Sequence, residues 1–248
     1  MSRNRALKAK SRMNTRYQEN TIDFHNAGPR ISPKPIDLVP RSRSQEHLVL
    51  SLQNPHTHIV IAVGPAGTGK TYLAMQAAIR ALRLGECERI VLTRPAVGVE
   101  DERHGFLPGD LMAKMEPWTR PLLDVLREQY RPQDIVRMMD DQTIEISPLA
   151  YMRGRTFKRA WVIADEMQNA TPAQVKMLMT RIGQDSRIVI TGDVEQADRQ
   201  GSNNGLLDLA QRLKQNPVTG IELCQLGIKD VQRHQLIGPI LDLYQREK

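Results

Sequence analysis

The chain has 248 residues, 40% of them apolar, a net charge of +7 and two cysteines, Cys87 and Cys224. That is enough for one large core with an appendage, and it excludes a disulfide-stapled scaffold. The longest apolar runs have strand length and the N-terminus is charged from Arg3 onward, so neither a membrane span nor a secretory signal is expected, and a cytoplasmic protein with two buried, reduced thiols is.

Residues 1–44 come first and hold the charge. Ten basic side chains, Arg3 to Arg43, face three acidic ones, Glu19, Asp23 and Asp37. This segment therefore carries the chain's whole excess, and residues 45–248 are close to neutral. With Pro29, Pro33, Pro35 and Pro40 and few large apolar residues, it reads as a mostly disordered basic arm. Such an arm can follow a phosphate backbone by counterion release. It can equally keep the protein soluble or wrap a neighbouring subunit.

A helix over Ser44–Leu52 follows, with Ser44 as N-cap and Pro55 stopping it. Next comes the strand His58–Val63, and directly behind it Gly64-Pro65-Ala66-Gly67-Thr68-Gly69-Lys70-Thr71. This is a phosphate loop in its required context, a buried strand feeding a glycine-rich turn that opens a helix, Thr71–Leu84. Its glycines let backbone N–H groups turn inward toward a polyphosphate, and the helix N-terminus adds partial positive charge. Lys70 would neutralise the β- and γ-phosphates, and the Thr71 hydroxyl would ligate Mg²⁺. His56 and His58 lie close by, but no further ligands support a structural metal site.

Further strands are expected at Arg89–Thr93, Thr143–Ile146, Ala160–Ala164, Arg187–Thr191 and Gly220–Leu226. Amphipathic helices alternate with them at Leu111–Gln129, Pro172–Arg181, Gly205–Lys214 and His234–Arg246. Strand cores such as Ile90-Val91-Leu92 and Trp161-Val162-Ile163 are apolar throughout, which indicates burial on both faces. The pattern predicts an α/β fold, a parallel sheet with helices on both faces, whose ligands sit at the carboxyl ends of the strands.

Two of those ends carry chemistry. The strand Ala160–Ala164 ends in Asp165-Glu166-Met167-Gln168-Asn169. Paired carboxylates there are costly unless a cation lies opposite, and Mg²⁺ on nucleotide phosphates would supply one. Asp165 is placed for the metal shell, and Glu166 to orient and deprotonate the attacking water. An acidic pair beside a helix start would explain them without catalysis. The next strand delivers Thr191-Gly192-Asp193-Val194-Glu195-Gln196, where Gln196 can bond the γ-phosphate or the water. Arg233, in Val231-Gln232-Arg233-His234, is the first candidate for an arginine finger, with Arg155 behind it.

Taken in order, G-P-A-G-T-G-K-T, V-L-T-R-P, D-E-M-Q-N and T-G-D-V-E-Q resemble the first RecA-like domain of superfamily 1 helicases. More closely the chain resembles the PhoH family, phosphate-starvation-inducible P-loop ATPases, from about Gln45 to its C-terminus. Glu102–Asp110, Pro148–Phe157 and Val231–His234 belong to that likeness. It implies a RecA-like ATPase domain over 45–248 with an inserted segment at about 97–158. It also implies that Gln45 reads adenine, that Gln168 and Gln196 couple phosphate state to movement, and that Arg94 and Arg153, with Arg155 beside them, contact single-stranded nucleic acid. Met167 stands where the related D-E-A-Q pattern has alanine. One RecA-like unit, against two in conventional superfamily 1 helicases, implies a homo-oligomer, a ring among the options.

Three function classes follow. The first is an ATP-hydrolysing enzyme using ATP and Mg²⁺ on single-stranded nucleic acid, RNA rather than DNA. The second is a nucleotide-switched protein-binding module without motor activity. The third, a small-molecule kinase, is disfavoured by the pairing of Glu166 with Gln196.

Overall fold

The computed structural model describes residues 36–95, 111–194 and 204–232, the side chains of 111–119 excepted. The basic arm up to residue 35, Gln196 and Arg233 with the expected C-terminal helix lie outside the described residues. Ile36, the first described residue, already has its side chain buried in the core.

Six parallel strands form one sheet in the order β3-β2-β4-β5-β1-β6. They are β1 (Ile59–Val63), β2 (Arg89–Thr93), β3 (Ile144–Ile146), β4 (Ala160–Ala164), β5 (Arg187–Gly192) and β6 (Ile221–Gln225). The helices between them are α1 (Arg43–Gln53), α2 (Lys70–Leu84), α3 (Leu111–Gln129), α4 (Pro132–Asp140), α5 (Pro172–Met179) and α6 (Gly205–Gln215). Parallel neighbours need crossovers, and the helices supply them on both faces.

Strand residues alternate between two cores. Val60, Ala62, Ile90, Leu92, Trp161, Ile163 and Val189 pack with Leu48 of α1, Leu73 of α2, Leu126 of α3 and Ile135 of α4. Ile59, Ile61, Val91, Val162, Ile188 and Ile190 pack on the other face with Val175 and Leu178 of α5 and Leu206 of α6. Double-sided burial is why these strands read as unbroken apolar runs. Each fully buried large side chain contributes about 1.5–3 kcal/mol, so the strand ends are held by a stiff platform.

Two local features differ from the sequence reading. The N-cap of α1 is Ser42, not Ser44: Ser42 is extended and its Oγ accepts from the Gln45 N–H at 3.2 Å. Helix α4 was not anticipated, although Pro132 at its first turn is a start signal. The inserted segment supplies β3, close to the strand expected at Thr143–Ile146, to the edge of the same sheet. Cys87 and Cys224 are free and buried, and burial pushes their thiols up to about 12 and about 11, which makes them poor nucleophiles. No helix among the described residues is long and apolar enough to cross a membrane.

Candidate active site

Strand β1 is buried along its whole length, and the chain turns sharply where it ends. A Cβ on Gly64 would lie 2.3 Å from the Leu226 carbonyl oxygen, so only glycine fits there. Gly67 (φ 83°) and Gly69 (φ 80°) take left-handed conformations that curl the loop onto α2. Gly69 is the N-cap of α2 and offers no side-chain cap, so the helix's first N–H groups remain available to an anion. Lys70 is 7% exposed. Its Nζ donates to the carbonyls of Gly64 (2.6 Å) and Pro65 (2.8 Å) and to Thr68 Oγ1 (3.3 Å).

The loop is tied from outside at three points. Gln45 Nε2 donates to the Thr68 carbonyl (2.9 Å), the Gln232 N–H to the Gly67 carbonyl (2.8 Å), and the Ala66 N–H to Asp193 Oδ2 (3.2 Å). Asp193 comes from the turn after β5, which lies beside β1 in the sheet. The expectation that Gln45 reads adenine meets a side chain only 3% exposed, whose Oε1 already accepts from the Arg41 N–H at 2.7 Å.

Strand β4 carries the carboxylates to the same edge. Thr71 Oγ1 donates to Asp165 Oδ1 at 2.8 Å, and the Thr191 hydroxyl donates to the same oxygen at 2.5 Å. The α2 N-terminus and the β4 and β5 ends thus converge on one carboxylate. The Asp165 N–H donates to the Thr93 carbonyl, joining β2 as well. The Thr93 hydroxyl is buried and has no protein partner, an arrangement that a water molecule commonly satisfies.

Glu166 has φ 56° and ψ 36°, left-handed for a non-glycine residue. Such strain costs on the order of 1–3 kcal/mol and persists where the surroundings impose it. The Glu166 side chain is held by Gln168, whose Nε2 donates to Glu166 Oε2 while its Oε1 accepts from the Asp193 N–H at 3.1 Å. A Cβ on Gly192 would sit 2.6 Å from Gln168 Oε1, so Gly192 makes room for this bridge. Arg94 Nη2, at the end of β2, stands 4.0 Å from Glu166 Oε1.

Lys70, Thr71, Asp165 and Glu166 are therefore brought together, with Arg94 beside them. Arg153 is exposed just past the turn Leu149–Met152. Arg155 is held by a neighbour: both arms of its guanidinium grip Glu145 of β3, the second at 2.7 Å, and it lies 4.8 Å over the Phe157 ring. A fork taken by one carboxylate acts as a strut in the structure described. Sequence reasoning assigned nothing to Thr191 and Asp193. Their only signal was position, two polar residues at the end of a buried strand.

A glycine loop, a buried lysine and a Thr–Asp pair at the carboxyl edge of a parallel sheet define a P-loop NTPase. The chain belongs to the PhoH-like protein family, whose profile matches residues 37–245. A PhoH-like protein of Synechocystis sp. is 47% identical over 190 residues, 77% of this chain and 57% of that protein. One of Bacillus subtilis is 48% identical over 190 residues, 76% and 59%. Protein PhoH of Escherichia coli is 36% identical over 210 residues, 84% and 58%. The chain thus spans less than three-fifths of the length of these relatives. The Pyrococcus furiosus Hef helicase domain overlaps 75% of this chain and 39% of its own at TM-score 0.43 and 12% identity, too distant to carry any argument.

Proposed function

We propose that this protein binds ATP with Mg²⁺ and hydrolyses the β–γ phosphoanhydride, in a cycle linked to single-stranded nucleic acid. The observation that carries this reading is Asp165, held by the hydroxyls of Thr71 and Thr191 beside the strained Glu166. Thr71 Oγ1 and Asp165 Oδ1 are hard oxygen donors 2.8 Å apart, the donor set that suits Mg²⁺. When bound there, Mg²⁺ supplies positive charge against the phosphate oxygens.

The chain's own groups do the rest. Loop N–H groups from Gly67 to Thr71 bind the phosphates, and Lys70 exchanges its loop carbonyls for phosphate oxygens. Glu166 accepts the proton of the attacking water as its oxygen bonds to the γ-phosphorus. The bond from that phosphorus to the bridging oxygen breaks, and ADP keeps the electron pair. Gln196 serves as γ-phosphate sensor and Arg233 as finger in this reading. Arg94 and Arg153 contact the nucleic-acid backbone, RNA in preference to DNA, and a homo-oligomer lets one protomer complete its neighbour's site.

Phosphate release from ATP, with and without single-stranded RNA and DNA, tests the proposal, with Lys70→Ala as the blank. Stimulation by one polymer supports it and names the track. Steady release indifferent to both favours a nucleotide-switched binding module, a reading that the hold of Gln168 on Glu166 also supports. No release above the blank overturns hydrolysis.

A further inference from the structure

Gln45 occupies the third position of α1, behind the N-cap Ser42. A glutamine there normally folds back to bond a backbone N–H at the helix start. Gln45 does so one residue further out, its Oε1 accepting from the Arg41 N–H at 2.7 Å. That bond aims the amide nitrogen at the phosphate loop, where Nε2 donates to the Thr68 carbonyl at 2.9 Å. The amide orientation is determined by these partners. Turned by 180°, it would set NH₂ against the Arg41 N–H and oxygen against the Thr68 carbonyl, repulsive at both ends.

The consequence for the loop follows from peptide geometry. In a trans peptide the C=O and the next N–H point in opposite directions. Holding the Thr68 carbonyl outward therefore turns the Gly69 N–H inward, toward the phosphates. The bond from the Gln232 N–H to the Gly67 carbonyl does the same for the Thr68 N–H. The loop also presses directly on Gln45: a Cβ added to Gly69 would stand 3.2 Å from its Nε2. A side chain 3% exposed, with the acceptor and one amide hydrogen both engaged, has no face to offer a purine.

We propose that Gln45 is a positioning residue that braces the phosphate loop through Thr68, and that it reads the polyphosphate rather than the base. This rests on the triphosphate reading above. Adenine and guanine nucleotides, and inorganic tripolyphosphate, then depend on Gln45 to the same degree.

The test compares wild type, Gln45→Ala and Gln45→Glu for affinity to ATP, GTP and inorganic tripolyphosphate with Mg²⁺, by calorimetry at a pH where the glutamate is ionised. Gln45→Glu keeps the size and the acceptor for Arg41 but loses the donor to Thr68. Both variants are expected to weaken all three ligands by one common factor, roughly 5–50-fold for an unmade buried bond. The ATP-to-GTP ratio should remain that of wild type, and KM should rise while kcat stays within about twofold. Loss confined to ATP, with GTP and tripolyphosphate unmoved, would overturn the inference and restore adenine reading. Unchanged affinities in variants with a normal melting curve would overturn it too. Failure of wild type to bind any of the three would instead sink the triphosphate reading itself.

Should the variants not fold, hydrogen exchange of the Gln45 side-chain amide in the wild-type chain answers the question. Protection that persists identically with ATP and GTP supports the brace. Release or a resonance shift with ATP alone overturns it.

Discussion

Two of the arginine–glutamate pairs around this sheet are built differently. Arg155 grips Glu145 of β3 with both guanidinium arms, its second bond at 2.7 Å, and stacks on Phe157. Their side chains are 30% and 18% exposed. Arg94 reaches Glu166 only at 4.0 Å, with the two side chains 28% and 38% exposed. The first pair is a two-armed fork with few alternatives, so it ties the edge strand to the turn that follows it. The second is too long for a good hydrogen bond and too wet to add much stability. Glu166 is also backbone-strained and shared with Gln168. One pair holds the fold, and the other is poised to be exchanged.

The sharpest way to break this contrast is from the acid of the loose pair. Glu166→Gln should lower phosphate release by about 10²–10⁴-fold, the usual worth of a positioned proton acceptor. ATP binding should survive, and the melting temperature should hardly move. Calorimetric binding beside steady-state release would check this. A variant that still hydrolyses ATP at the wild-type rate would show that Glu166 takes no proton.

The arginine of the same pair gives a smaller effect. Arg94→Ala should bring the nucleic-acid-stimulated rate down to the unstimulated one. The change in stability should stay within about 1 kcal/mol, as for exposed ion pairs. Titrating single-stranded RNA against phosphate release measures it, and full stimulation in the variant would remove Arg94 from the interface.

Glu145→Gln should act in the opposite sense. It leaves the partly buried Arg155 without its charge-assisted partner and should cost about 2 kcal/mol of stability, with turnover within about twofold of wild type. Denaturant melts and release assays on the same preparation separate the two effects.

The smallest effect is a pH signature. Hydrogen bonding to Arg155, acting against burial, holds the Glu145 carboxyl below its ordinary range. A depressed folded-state pKa contributes stability that is full above the unfolded value of about 4.3 and is lost as pH falls through the folded one. The stability gap between wild type and Glu145→Gln should therefore be constant near pH 7 and narrow below about pH 4. A gap that does not narrow in acid would mean that Glu145 is not ionised in the pair.

Local patterns in the sequence were sufficient for the strands, most helices, the phosphate loop and the two carboxylates after β4. Each signal there lies within one element: an apolar run, a glycine spacing, a polar residue where burial stops. Pairings were not legible in the same way. Arg94, Arg153 and Arg155 look alike as residues, and only the placement of β3 beside β2 gave Arg155 its partner. Ser42 and Ser44 are equivalent caps by type, and only the folded backbone shows that the Ser42 hydroxyl is the one that accepts from the Gln45 N–H. Asp193 could reach Ala66 only because β5 lies beside β1.

The sequence by itself determined that a polyphosphate loop opens a helix behind a buried strand, and that carboxylates stand at a second strand end. Those outcomes follow from backbone conformational preference and from burial, which act over a few residues. Only the tertiary structure decided which residues complete the loop. Gln45 from α1, Asp193 from the turn after β5 and Gln232 from the segment after β6 tie one turn of backbone. A hydrogen bond depends on position to within a few tenths of an ångström, and strand order and register set that position.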